Sequence, residues 1–240
     1  MLSRYLPIGT VLALTGLFLT APNLSAHAQS VGPVAFQPPT NERLPDSAGG
    51  ATRPASQKCR QDPSSEHPLS ALIPSGYVGL TTAEAPAIFV YIPPTDATSV
   101  YFSLKNAQDE ELYSEIIPIE ESAGILQVEL PATVVPLEVE QTYHWNLGIL
   151  CNPVQTDLPW VSGVLRRVSP NHDVPPDFAH WSPLEQAAWY GNAGLWYDTL
   201  NVLAQEYRQT PENPQLLESW TNLLTTVGLG QLAREAFLEF

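Results

Sequence analysis

The sequence predicts an α+β protein in which a β-sandwich precedes a small helical region, and three observations carry that expectation. Between about residues 59 and 168, short runs rich in β-branched and aromatic residues are divided by Pro, Gly, Asn and Asp, the pattern of an all-β sandwich. Two of those runs alternate with period two, so each has one side for the core. Beyond about residue 170 the period turns helical and capping signals appear.

Residues 1–28 read as a signal peptide. Arg4 supplies a positive start, the run over 6–20 is nearly all apolar, and Ala26-His27-Ala28 puts small residues at the two positions a signal peptidase reads. The run is shorter than the ~20 residues of a membrane span, and no cysteine follows it to carry a lipid. The expectation is an exported chain, periplasmic or extracellular, with no stable membrane insertion. Residues 29–57 are mostly Pro, Gly, Ser, Ala and Asn, as in Pro38-Pro39-Thr40 and Ser47-Ala48-Gly49-Gly50. Such a composition buries too little to offset its ordering entropy and reads as a disordered tether.

The sandwich is expected over 58–169, with strands at 87–92, 100–105, 111–117, 124–130, 142–151 and 160–168. Leu126, Val128 and Leu130 oppose Gln127 and Glu129, while Tyr143, Trp145, Leu147, Ile149 and Cys151 share one face against His144 and Asn146. The run Ile88-Phe89-Val90-Tyr91-Ile92 is apolar on both sides, as a strand covered on both faces would be.

The helical region is expected over 170–240. Ser182-Pro183-Leu184-Glu185 combines a cap residue, Pro at the first helical position and Glu three after the cap, which starts a first helix. A second is expected over about 193–209, ending before Pro211. A third spans about 214–227, with Asn213 as cap and Gly228 as stop, and a fourth reaches the C-terminus. Gly194-Leu195 recurs 34 residues later as Gly228-Leu229, Thr199 recurs as Ala233, and Pro211 lies 12 after Thr199. That spacing is tetratricopeptide-like and predicts a helical hairpin that packs on the sandwich or on another chain.

The chain carries 25 acidic and 10 basic residues, a net charge of -15, which repels phosphate backbones and anionic headgroups and argues against nucleic acid as a partner. Its two cysteines, Cys59 and Cys151, form an even count in an exported chain and predict a disulfide. Loop closure over so long a segment stabilises by about 4–5 kcal/mol; two free buried thiols are the alternative. Neither has a His or CxxC neighbour to make it catalytic.

Several residues have chemistry-bearing types. His172, Asp173, Asp177 and His180 lack the spacing of HExxH or of a zinc finger, and Pro175-Pro176 interrupts them, so no metal is expected. Asp109-Glu110-Glu111 and Glu120-Glu121 are candidate carboxylate pairs for glycoside hydrolysis, with solvated turns as the simpler account. Ser70, Ser75 and His67 lie in a Pro-rich region, and no GxSxG, P-loop or GxGxxG occurs, so neither a nucleophile nor a cofactor is expected. For Arg166 and Arg167, pairing with carboxylates is the simple account and anchoring an anion the sharper one, although adjacent strand residues face opposite ways. Trp181, Trp189, Tyr190, Trp196 and Tyr197 crowd one stretch. Most should be core joining helices to sandwich, and Trp189, Trp196 and Tyr197 are the candidate interaction residues.

Two resemblances add to this reading. The segment Leu137-Glu138-Val139-Glu140-Gln141-Thr142-Tyr143 resembles the corner of fibronectin type III and immunoglobulin-like sandwiches, where the Tyr hydroxyl bonds back to nearby backbone. Over about 59–228 the chain resembles a family of exported cyanobacterial proteins known as domain of unknown function 928. The likeness lies in Gly79-Leu80-Thr81-Thr82, Pro86 with Phe89-Val90-Tyr91-Ile92-Pro93, Tyr143-His144-Trp145, Cys151, Gly163-Val164-Leu165-Arg166-Arg167 and Gly194-Leu195-Trp196-Tyr197-Asp198. It implies secretion toward the periplasm or beyond in a Gram-negative photosynthetic bacterium, and no reaction. The expected function is an exported, non-enzymatic interaction module whose helical aromatics dock a protein or a cell-envelope glycan. The alternative is an envelope hydrolase or carbohydrate-active enzyme working through acidic residues.

Overall fold

The computed structural model describes residues 34–44, 67–119, 123–151, 159–170 and 174–238, which all belong to one compact unit. The expected signal peptide, Cys59, Glu120, Glu121, His172 and Asp173 lie outside these residues. The fold is α+β with a sheet-rich core. Eight strands are described: β1 Ser70–Ala71, β2 Gly79–Thr81, β3 Ala87–Ile92, β4 Ser99–Asn106, β5 Glu111–Pro118, β6 Gly124–Glu129, β7 Thr142–Leu150 and β8 Trp160–Arg167. They form one sheet in the order β1-β3-β6 and a second in the order β2-β8-β7-β4-β5.

The period-two runs sit where they must. Central strand β7 pairs antiparallel with β4 and β8, and its Trp145, Leu147 and Ile149 are fully buried while His144 is exposed. Apolar on both sides, β3 is buried at every residue. The Tyr143 hydroxyl accepts the Glu138 backbone N–H at 2.8 Å, which pins the turn entering β7. Strands β1 and β2 are too short to show a period, so sequence patterning passes over them; β2 runs parallel to β8.

Helix α1 spans Pro183–Asn192 and begins with the expected reciprocal cap between Ser182 and Glu185; those hydrogen bonds hold the Glu185 carboxyl below its usual range. Helix α2 spans Trp196–Gln209 and α3 Pro214–Thr226, the latter capped by Asn213. Gly194 and Gly228, with φ of 75° and 81°, end α1 and α3 in the left-handed conformation that glycine adopts without steric cost. Buried residues of both sheets and all three helices belong to one hydrophobic cluster. Among the described residues no helix is long and apolar enough to cross a membrane.

Two expectations are corrected. No fourth helix forms among the described residues: a single 3-10 turn at Gly230–Leu232 is followed by an extended segment that bridges β6 at Ile125 and Phe237. There the Ile125 N–H donates to Ala236 O at 2.7 Å and the Leu238 N–H to Ile125 O at 2.9 Å. Pairing with an otherwise open strand edge, together with Phe237 packing on Trp220 and Phe89, outweighs helix propensity. Nor is all of 29–57 a tether. Val34 and Phe36 are buried in the core, the Gln37 N–H donates to Gly191 O, and the Val78 N–H donates to Glu42 O. Two large apolar side chains suffice to anchor a segment whose average composition is polar.

Candidate functional site

Aromatic residues of the helical region divide into an interior seam and a surface platform. The seam forms where α2 meets β2 and β3 and where Tyr197 reaches Trp145 on β7. The Trp196 indole N–H donates to Leu72 O at 2.8 Å, and Phe36 meets its ring edge-on at 5.0 Å. Tyr197 is buried beside Trp145, whose indole N–H donates to the Tyr197 hydroxyl at 2.9 Å, and burial pushes that phenol well above its usual range. Space for these rings comes from glycines: a Cβ on Gly79 would lie 2.4 Å from the Tyr197 ring, and one on Gly163 2.5 Å from Trp145. Beside them the half-buried Asp198 accepts from the Thr82 backbone N–H at 3.1 Å and from its hydroxyl at 2.7 Å. Burial raises its carboxyl above the ordinary range, and hydrogen bonds from Thr82 and Thr81 oppose the shift.

The seam therefore gathers Gly79, Thr82, Trp145, Gly163, Trp196, Tyr197 and Asp198 into one packed layer. Trp196 and Tyr197 have essentially no exposed surface, so of the three expected interaction residues only Trp189 can meet a partner directly.

The platform surrounds Trp189. A 3-10 turn at Phe178–His180 precedes α1, and Phe178 lies against Trp181, Trp189 and Tyr190 at ring separations between 5.0 and 5.4 Å. Trp189 and Tyr190 also meet, edge to face, at 5.4 Å. All four rings are half-buried. The Gln186 amide donates to Phe178 O at 3.3 Å and Trp181 O at 3.1 Å, stapling the turn to α1 so that the rings are held in place. Exposed Asp177 and His180 flank them. Phe178, three residues before Trp181, joins the cluster that Trp and Tyr mark in the sequence.

The remaining candidates are dispersed. Arg166 pairs with Glu42 at 3.0 Å and Glu140 at 2.6 Å, while Arg167 pairs with Glu84 at 3.1 Å and donates to the backbone oxygens of Thr82 and Leu137. Arg167 and the two Nη groups of Arg166 are thus occupied by protein acceptors, as simple pairing predicts, while Arg166 Nε is buried with no hydrogen-bond partner among the described residues. Asp109, Glu110 and Glu111 lie exposed at the turn between β4 and β5. Ser70 and Ser75, with Leu44, Ile73, Val161 and Ser162, line a cavity of about 140 Å³, and among the described residues no titratable group lines it. The Ser70 hydroxyl donates to Pro68 O at 2.8 Å, and His67 lies 3.8 Å from Glu235. Among the described residues no group of three or more His, Cys, Asp or Glu could hold a metal. Cys151 follows β7, half-buried against the core.

The family model described as Domain of Unknown Function (DUF928) matches residues 48–237. No curated protein matches the chain.

Proposed function

The chain belongs to this family, whose description assigns no reaction, and we propose that it is an exported, non-enzymatic interaction module that binds a cell-envelope glycan through Phe178, Trp181, Trp189 and Tyr190. One observation carries the proposal: four half-buried rings, three of them gathered around Phe178, fixed by backbone-directed hydrogen bonds and rimmed by Asp177 and His180. A sugar ring offers an apolar C–H face and a hydroxyl edge. Aromatic faces suit the first, and the indole N–H, phenol and carboxylate groups suit the second. Rigid rings also bind at low cost in conformational entropy.

We take the two sheets as an immunoglobulin- or fibronectin-like sandwich, a view supported by the Tyr143 corner, and the helices as a tetratricopeptide-like hairpin covering one end. Cleavage of a signal peptide at 1–28 would deliver the chain to the periplasm or beyond, in a cyanobacterium if the family likeness extends to source. A Cys59–Cys151 disulfide would tie residues preceding β1 to the end of β7.

Retention of the full chain on immobilised envelope polysaccharide tests the proposal. Wild type should be retained, and Trp189→Ala should lose about tenfold or more in affinity, as expected of an aromatic anchor. Specific retention of a polypeptide instead of the glycan would make the partner a protein. Turnover of the glycan, abolished by an acid-to-amide substitution, would replace the module with a hydrolase.

A further inference from the structure

We infer that the outer edge of β5 is a second binding surface, separate from the aromatic platform, which takes up a basic, extended segment of another polypeptide as an added strand. The two sheets treat their edges unequally. The β2 side is joined by an antiparallel bridge between Arg43 and Tyr77 and by the hydrogen bond from Val78 N–H to Glu42 O. The β6 edge is met by the segment around Phe237, and β1 is two residues long. Strand β5 has eight residues and ends its sheet, with no strand on its outer side among the described residues.

Its free hydrogen-bonding groups can be assigned. The Ile119 N–H donates to Thr98 O at 2.9 Å, in register with the β4–β5 ladder. Antiparallel pairs alternate between hydrogen-bonded and non-bonded, so the backbone groups of Ser114 and Ile116 point away from β4. Ser114 and Ile116 share one face of the sheet by strand alternation, Ile116 is 59% exposed, and Leu112, 40% exposed, is the extra residue at the bulge where β5 shifts register against Leu104 and Lys105. An incoming strand would find main-chain partners along the edge and apolar contacts beside them, the two parts of strand addition.

Charge selects the occupant. Glu111 and Glu115 are exposed on β5, and Asp109 and Glu110 are exposed in the turn that enters it, in a chain of net charge -15. A second copy would bring two such sets together and be repelled, which is how natural edges avoid self-pairing. Lysine or arginine in a foreign strand would meet the same carboxylates favourably.

The probe is a capped peptide of about eight residues, the length of β5, alternating valine with lysine. Its binding to the full chain should weaken as salt rises. It should fall by about tenfold or more when glutamate replaces lysine, or when N-methylation blocks its edge-facing amides. Ser114→Pro removes an N–H that faces solvent, at a position where edge strands tolerate Pro, together with the exposed hydroxyl's bond to Glu111, and should weaken binding equally while lowering stability by no more than about 1 kcal/mol. If that variant fails to fold, the N-methylated peptide reads the same contact on wild type. Absence of binding, equal binding of the N-methylated peptide, or dimerisation through β5 would each overturn the inference.

Discussion

Trp189-Tyr190 and Trp196-Tyr197 are the same pair of residues repeated after an interval of seven, yet one pair lies at the surface and the other is sealed in the core. Partners distant in sequence make the difference. The second pair packs against Leu72, Gly79 and Trp145, each more than fifty residues away and each supplying either an acceptor, a donor or room for a ring. The first pair has Phe178 as its ring partner, contributed by the adjacent turn, and Phe178 in turn meets Trp181. Aromatic density in one stretch thus says that rings will be used, and the missing side chains of glycines in another stretch decide which of them go inside.

Substitutions should separate the two regions, and the largest effect falls on the seam. Trp196→Ala empties a fully buried ring site and strands the Leu72 carbonyl, so it should cost about 3–5 kcal/mol in urea unfolding. A loss below about 1 kcal/mol, the range of surface changes, would erase the distinction. Gly163→Ala places a methyl 2.5 Å from the Trp145 ring and should destabilise by about 1–3 kcal/mol through overpacking; unchanged stability would mean that the ring has room to move.

A smaller effect concerns pH. Burial holds the Asp198 carboxyl above its ordinary range, so the folded chain keeps this proton to higher pH than the unfolded chain does. That contribution to stability is complete below the unfolded value and is lost as pH rises through the raised folded value. Asp198→Asn keeps an oxygen for Thr82 and should flatten the slope in that window. Parallel melting-temperature profiles for wild type and variant would contradict the assignment. Trp189→Ala should have the smallest effect on folding, about 1 kcal/mol or less for a half-buried ring, while its binding defect is large.

How far the sequence could be read follows the same division between near and distant partners. Ile88 to Ile92, the alternation through Trp145 and the Ser182–Glu185 cap are local patterns, and each sits in the element its pattern implies. Strand β2 has three residues, and its parallel pairing with β8 joins Gly79 to Leu165, a long-range choice with no local signature. Likewise, Val34 and Phe36 gain their meaning only from the helix end and the Trp196 ring that receive them. In the site, local spacing exposed the cluster of rings but could not divide it, because the dividing residues, Gly79 and Gly163, are remote in sequence and carry no side chain to draw notice.

Oxidative footprinting of the six tryptophans, read by mass spectrometry with and without soluble envelope glycan, tests the central claim most directly. Trp181 and Trp189 should oxidise in the free protein and be protected by the glycan, while Trp145, Trp196 and Trp220 stay unreactive in both states, as their burial requires. Oxidation of Trp196 at the rate of Trp189, or glycan binding that leaves Trp181 and Trp189 unprotected, would contradict the division of this molecule into a structural seam and a binding platform.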